Sequence, residues 1–316
     1  MKVLGLIPTR LNSTRLPQKA LLPINKIPLV IHTYKRAKLS KKISDVYICC
    51  DDQKIKSTAK KFGAKVLVTS KNHKNGTERI NEAYKKLKKK YDLIVDIQGD
   101  EPLISPYHID KVVNYHIKNI KYDIILPTLQ IKPSNNTNIV KVILNKNNEV
   151  MYLSRADIPL SFRKNKNKSL KHLSIISFKP GALEKFAMSG RTYLESIEDI
   201  ELLRALELGL KIKSLKLRGD SFSVDVYEDY KKAQAAPKYY ESSADVNGEM
   251  GQQEFLLLFT TQLENQNPLD PMKNEEFVAQ LAQFSQLEAT TTMAADLRGL
   301  TGSLQKERMM TGASLI

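Results

Sequence analysis

The chain has 316 residues, of which 41% are apolar and 27% are charged, a balance typical of globular proteins in water. No apolar run approaches the roughly 20 residues that a membrane-spanning helix needs, so we expect no membrane partner. Residues 1–8 become polar too early for a signal peptide and predict a strand instead. The only cysteines, Cys49 and Cys50, are adjacent, which fits neither a disulfide framework nor a zinc site and favours a cytoplasmic location.

The net charge of +16 raises the question of a nucleic-acid partner. Residues 1–234 carry 45 basic and 23 acidic side chains, whereas residues 235–316 carry 5 basic and 11 acidic ones. The basic excess is nearly all lysine, while arginine is limited to 11 residues and tryptophan is absent. Because arginine and aromatic side chains usually read bases, the pattern favours a solvated lysine surface and no nucleic acid. Nucleic-acid binding stays open as an alternative, and the same charge would attract any polyanionic substrate.

The change in charge marks a boundary in the chain. Lysine falls from 36 residues in the first 234 to 3 in the last 82. The stretch between the two parts is poor in aliphatic side chains and is interrupted by proline. We therefore predict a first domain over residues 1–234, a linker or fusion junction over 235–250, and a separate segment over 251–316.

The first domain alternates short apolar runs with amphipathic stretches. The predicted strands are Val3–Ile7, Val46–Cys50, Lys65–Val68, Leu93–Ile97, Asp123–Leu126 and Val140–Leu144. The predicted helices are Leu29–Leu39, Gln53–Phe62, Gly76–Lys89 and Ile109–Ile117. This alternation indicates an α/β fold with a mainly parallel sheet flanked by helices. Ligands of such sheets bind beyond the carboxyl ends of the strands, so the loops there are the ones to search.

The segment Pro8–Lys19, called the first loop below, directly follows the first predicted strand. It contains Arg10, Arg15 and Lys19 together with three hydroxyl side chains. Cations, hydroxyl groups and backbone amides are the groups that bind a triphosphate. A polar surface loop without a ligand is the alternative that these residues leave open.

Two later segments also contain residues that suggest a site for a nucleotide and its metal ion. Asp100 follows the strand Leu93–Ile97 and lies beside a glycine, which suits a Mg²⁺ ion shared between the protein and phosphates. Asn75–Arg79 lies at a predicted helix start, where free N–H groups favour anions. A plain Asp-Glu-Pro turn and a plain helix cap are the respective alternatives.

Together these segments resemble one family, the 3-deoxy-manno-octulosonate (Kdo) cytidylyltransferases, or CMP-Kdo synthetases. The first loop is similar to the family signature I-P-A-R-x-x-S-x-R-L-P-G-K-P-L, with Gln18 in place of glycine and Ala20 in place of proline. Ile97–Ile104 is similar to V-Q-G-D-E-P-L-I, and Asn75–Arg79 is similar to S-G-T-E-R. Ser223–Asp229 resembles G-V-D-T-P-E-D with two departures, serine for glycine and tyrosine for proline.

The resemblance continues through most of the first domain, up to about residue 232. Further matching segments are Asn138–Val142, Tyr152–Pro159 and Leu194–Arg204. Read as one helix, the last of these sets Glu195, Glu198 and Glu201 along one edge, which by itself is typical of a solvated face. The resemblance implies a Rossmann-like nucleotide-diphospho-sugar transferase sheet, a homodimer, and transfer of CMP from CTP to an acidic sugar for lipopolysaccharide synthesis.

The same resemblance implies roles for individual residues. The implied catalytic residues are Arg10, Arg15, Lys19, Asp100 and Asp225, and the implied Mg²⁺ ligands are Asp100 and Asp225. The implied nucleotide contacts are Pro8, Arg10, Ser13, Lys19, Gly76, Arg79, Gln98 and Asp100. The implied sugar contacts are Arg155, His172 and Glu198. Lys171–Ile176 is similar to R-H-L-G-I-Y but lacks the glycine and the tyrosine, which leaves open whether Kdo, 8-amino-Kdo or another acid is the substrate.

The last segment contains two predicted helices but no residues that suggest chemistry. A small helical hairpin docked on the enzyme is one interpretation. Residues 255–288 strongly resemble the N-terminal region of the flagellar hook-capping (hook assembly scaffold) proteins, F-L-x-L-L-x-x-Q-L-x-N-Q-x-P-L-x-P-M-x-N-x-E-F-x-x-Q-L-A-Q-F-S-x-L-E. This resemblance implies an assembly or export segment that contacts flagellar components, fused to the enzyme. A flagellar assembly protein that carries the enzyme as a passenger is the competing interpretation of the whole chain.

Overall fold

A computed structural model describes residues 1–235, except for 14, 134, 161–167 and 220–221. The predicted segment 251–316 and nearly all of the predicted linker lie outside the described residues. The helices are α1 Leu29–Lys38, α2 Gln53–Lys61, α3 Gly76–Leu87, α4 Pro106–Lys118, α5 Pro180–Met188, α6 Tyr193–Glu198, α7 Glu201–Glu207 and α8 Tyr227–Ala235, with a 3-10 turn at Lys19–Leu21. Within the described residues no helix is both long and apolar enough to cross a membrane.

The described strands form one large sheet and one small hairpin. The strands are β1 Val3–Thr9, β2 Pro23–Ile24, β3 Ile27–Pro28, β4 Asp45–Cys50, β5 Val66–Val68, β6 Leu93–Ile97, β7 Ile124–Ile131, β8 Lys141–Leu144, β9 Val150–Ser154, β10 Ser169–His172, β11 Ile175–Phe178 and β12 Ile212–Lys216. The hairpin is β2–β3, and the large sheet has the order β5-β4-β1-β6-β11-β7-β10-β8-β9, with β12 paired to β7.

The large sheet has a parallel part and an antiparallel part. Strands β5, β4, β1 and β6 are parallel, and β12 is parallel to β7. Strand β11 joins the two parts by running antiparallel to both β6 and β7. Each of the six predicted strands is present: Leu93–Ile97 has the predicted bounds, and the other five are extended or shortened at their ends. The predicted sheet flanked by helices is therefore confirmed, and the antiparallel strands enlarge it.

The core lies on both faces of the sheet because successive strand residues point in opposite directions. In β1, Leu4 and Leu6 pack on one face with residues of α3, α5 and α7. Val3 and Ile7 pack on the other face with residues of α1, α2 and α4. A third, smaller cluster joins α8 to the first loop through Leu16, Val224 and Tyr230, among others. The first loop is thus anchored by apolar contacts as well as by charge.

Candidate active site

The first loop and the segment after β6 start side by side, because β1 and β6 are parallel neighbours. A Cβ atom added to Gly99 would lie 3.0 Å from the carbonyl oxygen of Pro8, a tight contact that glycine avoids. From α1, the Thr33 hydroxyl donates to the carbonyl oxygens of Gly99 and Glu101 at 3.3 and 3.1 Å. The first loop and the segment after β6 therefore pack together and form one continuous surface, called the wall below.

Helix α3 begins at Gly76, as the sequence predicted, and its start lies against the same wall. The Asn75 side chain accepts a hydrogen bond from the amide of Glu78 at 2.8 Å, so asparagine serves as the N-cap where the family has serine. A Cβ on Gly76 would lie 3.3 Å from Cγ of Pro8, which shows how closely the helix start approaches the first loop.

Four charged side chains of the predicted site form one ion-pair cluster. Nζ of Lys19 lies 2.7 Å from Oδ2 of Asp100 and 3.2 Å from Oδ1 of Asp225. The guanidinium of Arg15 lies 3.1 Å from the same Asp225 oxygen. These residues are up to 210 positions apart in the chain, and the fold brings all four together. Two cations and two anions leave the cluster without net charge.

The backbone around Asp225 is held in place on two sides. The amide of Val224 donates to the carbonyl oxygen of Asp100 at 2.9 Å. The carboxylate of Asp229 accepts from the amides of Asp225 and Val226 at 3.0 and 3.1 Å. The departures from the family pattern at Ser223 and Tyr227 therefore do not prevent Asp225 from reaching Lys19.

Gln18, which stands where the family signature has glycine, adopts a backbone conformation that glycine adopts readily. Its φ of 52° and ψ of 31° lie in the left-handed region, which costs a non-glycine residue roughly 1 kcal/mol or more. Its Oε1 atom accepts a hydrogen bond from Nζ of Lys54 at 2.6 Å, which offsets part of that cost. The turn before Lys19 therefore forms with glutamine at this position.

A cleft of about 570 Å³ opens over these segments. Its lining includes nearly the whole predicted site, namely Pro8, Arg10, Ser13, Arg15, Lys19, Gly76, Arg79, Gln98, Asp100, Arg155, His172 and Asp225. Glu198 is the one predicted residue absent from this lining. In the part of the chain that the structure describes, the Arg10 guanidinium has no partner and is available to a ligand.

Arg155 and Glu198 are engaged with the backbone. The Arg155 guanidinium donates to the carbonyl oxygens of Glu198, Thr137 and Asp199 at 2.8 to 2.9 Å. The Glu198 carboxylate accepts from the Ser154 hydroxyl and from the Arg155 amide at 2.6 and 2.9 Å. Both residues stabilise the shape of the cleft, and their predicted contact with a sugar stays a prediction.

The segment Leu194–Arg204 is not one helix, which corrects the expectation of a single acidic edge. Asp199 ends α6 with φ of 51°, and α7 starts again at Glu201. Glu195 is buried and pairs with the Arg204 guanidinium at 2.7 Å. Glu201 lines the cleft and accepts from the Thr77 amide at 3.4 Å. The sequence placed Glu201 on a helical edge and not in the site, because the helix break carries neither glycine nor proline.

Burial changes the charge state of this part of the cleft. Burial lowers the pKa of His172 to about 4, so the imidazole is neutral at neutral pH. Burial also raises the pKa of Glu201. Nδ1 of His172 lies 3.3 Å from the carbonyl oxygen of Leu173, which assigns the proton to Nδ1 and leaves Nε2 as an acceptor.

The fold and the cleft together define a nucleotidyltransferase: a sheet with basic, hydroxyl-bearing and acidic loops gathered at the carboxyl ends of its parallel strands. The cytidylyltransferase family profile matches residues 4–212, and the chain belongs to this family. A profile described as the N-terminal region of the flagellar hook capping protein matches residues 227–298. That second match begins within α8, whose Tyr230 donates to the carbonyl oxygen of Pro23 at 2.6 Å.

Similar proteins cover the same part of the chain. The 3-deoxy-manno-octulosonate cytidylyltransferase of Chloroherpeton thalassium is 37% identical over 243 residues, which is 74% of this chain and 97% of the relative. The 8-amino-3,8-dideoxy-manno-octulosonate cytidylyltransferase of Shewanella baltica is also 37% identical and covers 74% of this chain and 98% of its own length. A CMP:2-keto-3-deoxy-manno-octonic acid synthetase complexed with CTP superposes with a TM-score of 0.71 at 27% identity, over 74% of this chain and 98% of that one.

Proposed function

We propose that the chain transfers CMP from CTP to Kdo or its 8-amino relative and releases pyrophosphate. The observation that carries this proposal is the cleft in which Arg10, Lys19 and the carboxylates of Asp100 and Asp225 converge. The printed names of the relatives supply the two sugars, and the structural neighbour in complex with CTP supports the nucleotide.

In the proposed reaction the anomeric 2-hydroxyl oxygen of the sugar attacks the α-phosphorus of CTP. A P–O bond to the sugar forms, the bond to the β-phosphate breaks, and the hydroxyl proton is released. Catalysis of such a transfer is mostly positioning and charge stabilisation. Arg10, Arg15 and Lys19 would bind the triphosphate and stabilise the departing pyrophosphate.

Asp100 and Asp225 fit a bound Mg²⁺. Their carboxylates converge on a single ammonium, and carboxylate oxygens are the ligands that Mg²⁺ prefers. Among the described residues no cluster of three or more potential metal ligands occurs, so phosphates and water would complete the coordination. Such an ion polarises a phosphoryl oxygen and lowers the pKa of a bound hydroxyl.

The remaining lining residues divide between the two substrates. Pro8, Ser13, Gly76, Arg79 and Gln98 lie on the wall formed by the first loop, α3 and the segment after β6, where we place the nucleotide. For the sugar we propose His172, whose neutral Nε2 can accept a hydrogen bond from a hydroxyl group. Arg155, and behind it Glu198, would hold that side of the cleft in shape.

Pyrophosphate release by the full chain tests this proposal. With CTP and Mg²⁺ we expect release in the presence of Kdo or 8-amino-Kdo, and background release with the nine-carbon acid N-acetylneuraminate or with UTP. Equal release with every acid, or none with either eight-carbon sugar, would refute the proposed substrate class. We further propose a cytoplasmic homodimer that supplies lipopolysaccharide synthesis, without nucleic-acid or membrane partners.

The match to the hook-capping profile supports a second candidate function for residues 251–316. We propose that this segment contacts flagellar assembly or export components, independently of the enzyme. Binding of the full chain to purified hook subunits, compared with a chain that ends at Ala235, is the direct test. Equal binding by the two chains, or none by either, would refute this function.

A further inference from the structure

Asp51 lies directly after β4, beside the first loop but outside the cleft lining. Strands β1 and β4 are parallel, with Thr9 opposite Cys50 in the register. The residue that follows Cys50 therefore stands next to the residues that follow Thr9. The Asp51 side chain is only 12% exposed.

The carboxylate of Asp51 connects two of the segments that form the nucleotide wall. Its Oδ1 accepts a hydrogen bond from the amide of Leu11, in the first loop, at 3.2 Å. Its Oδ2 accepts from the Arg79 guanidinium, on the first turns of α3, at 3.1 Å. One side chain thus connects α3, which starts at Gly76, with the first loop, which carries the cations proposed to bind the triphosphate.

Each contact fixes a group that faces the cleft. Leu11 follows Arg10 directly, so the orientation of its amide sets the peptide plane that joins the two residues. The Arg79 side chain is 5% exposed and also donates to Oγ1 of Thr69 at 2.8 Å and to the carbonyl oxygen of Ser70 at 3.3 Å. A buried guanidinium that loses its carboxylate partner either moves or rearranges its neighbours.

We propose that Asp51 is a positioning residue for nucleotide binding, acting through Leu11 and Arg79. It holds the first loop and α3 in fixed relation, so that the nucleotide binds a preformed wall and does not have to order it. Preorganisation of this kind strengthens binding by lowering its ordering cost. The inference rests on the proposed binding of CTP and adds a residue that does not touch the nucleotide.

The test compares Asp51→Asn with Asp52→Asn. Asparagine at position 51 keeps the shape and can accept from Leu11, but it removes the charge opposite Arg79. Asp52 is the adjacent carboxylate, which caps α2 by accepting from the Lys54 amide at 2.7 Å, and asparagine is an equally good cap. Both variants therefore remove one charge from the same turn, but only Asp51→Asn removes the charge that connects the first loop to Arg79.

We expect Asp51→Asn to raise the dissociation constant and the KM for CTP about tenfold, with kcat and the sugar KM within about threefold. Asp52→Asn should leave all four constants unchanged. Thr69→Val, which removes one Arg79 contact and keeps the shape, should raise the CTP constants in the same direction by about two- to threefold. If Asp51→Asn does not fold, unchanged CTP constants in Thr69→Val would overturn the inference, because Asp51 is proposed to act through the position of Arg79.

Calorimetric titration with CTP separates failure of the inference from failure of the proposed function. If the wild-type chain does not bind CTP, the proposed function is wrong, and the inference falls with it. If the wild type binds CTP and Asp51→Asn binds it equally well, the inference alone is overturned. It is also overturned if Asp51→Asn lowers the melting temperature without changing the CTP constants, because that result indicates a purely structural role.

Discussion

Two groups of residues in the cleft differ in how their charge is arranged. The loop group, Arg15, Lys19, Asp100 and Asp225, is partly exposed and consists of ion pairs between distant segments. The inner group, His172 and Glu201, is desolvated, and burial disfavours the charged form of each. Exposed ion pairs exchange partners at little cost, whereas desolvated groups recognise a ligand through hydrogen bonds. In keeping with the proposed function, we expect the loop group to bind the polyphosphate and the inner group to recognise a hydroxyl group of the sugar.

Asp100→Asn should have the largest effect on the loop group. Loss of one of the two carboxylates should lower kcat by about a hundredfold or more, because the charge that holds the proposed Mg²⁺ is halved. Pyrophosphate release measures the rate, and circular dichroism verifies the fold. Asp92→Asn serves as the control, since Asp92 accepts from the backbone amide of Lys2, away from the cleft. Near-normal turnover by Asp100→Asn would exclude it as a metal ligand.

Lys19→Met should show that the Lys19 ammonium group competes with a metal ion for the carboxylates of Asp100 and Asp225. Lys19 neutralises Asp100 and Asp225, so its removal should raise the affinity of the nucleotide-free protein for Mn²⁺ about tenfold, equivalent to about 1.4 kcal/mol. Electron paramagnetic resonance of free Mn²⁺ measures this affinity without turnover. Lys54→Met is the matched control, because Lys54 contacts Gln18 of the same loop. Unchanged Mn²⁺ affinity in Lys19→Met would mean that the carboxylates do not bind the ion.

His172→Phe should affect the inner group alone. Loss of the acceptor nitrogen should raise the sugar KM about tenfold and leave the CTP KM within about twofold. Because the pKa of His172 is lowered to about 4 by burial, with Arg155 and Lys171 adding to the effect, the imidazole stays neutral above that pH. The wild-type sugar KM should therefore show no histidine titration between about pH 5.5 and pH 8. An inflection near pH 6.5 that disappears in His172→Phe would contradict a buried neutral ring.

Gln18→Gly should have the smallest effect. Glycine relieves the left-handed strain, but it loses the Lys54 contact and adds entropy to the unfolded chain. These effects offset one another, so the free energy of unfolding should change by less than about 1 kcal/mol and kcat/KM by less than about twofold. Urea denaturation measures the former. A loss of several kcal/mol would show that the first loop depends on the glutamine itself.

Three members of the loop group, Arg15, Lys19 and Asp100, could be predicted from the sequence because each lies in a short segment with its own signal, whereas Asp225 was predicted only from the family resemblance. An apolar strand followed at once by Arg10, Arg15 and Lys19 carries its own signal, as does Asp100 after a second strand. The cap at Asn75 was equally readable, since its partner Glu78 is three residues away. Strand bounds in the parallel part were predicted closely for the same reason.

The inner group and the antiparallel part depend on non-local contacts. The break at Asp199 occurs at a non-glycine residue, and the carbonyl oxygen of this residue is held by Arg155, which no helical period predicts. The lowered pKa of His172 depends on desolvation in the folded protein, which the sequence does not show. In the sequence Asp51 is simply one of two adjacent acidic residues, and only the fold distinguishes it from Asp52. The helix break, the pKa of His172 and the contacts of Asp51 all depend on the three-dimensional fold and could not be predicted from the sequence.

We propose above that this chain joins CMP to the anomeric oxygen of an acidic eight-carbon sugar. Phosphorus NMR of the full chain incubated with CTP, Mg²⁺ and Kdo or 8-amino-Kdo tests it most directly. We predict a single phosphodiester signal from the CMP-sugar that grows in step with pyrophosphate and is absent with Asp100→Asn. Pyrophosphate that appears together with free CMP and no phosphodiester signal, or CTP that stays intact with both sugars, would contradict the account.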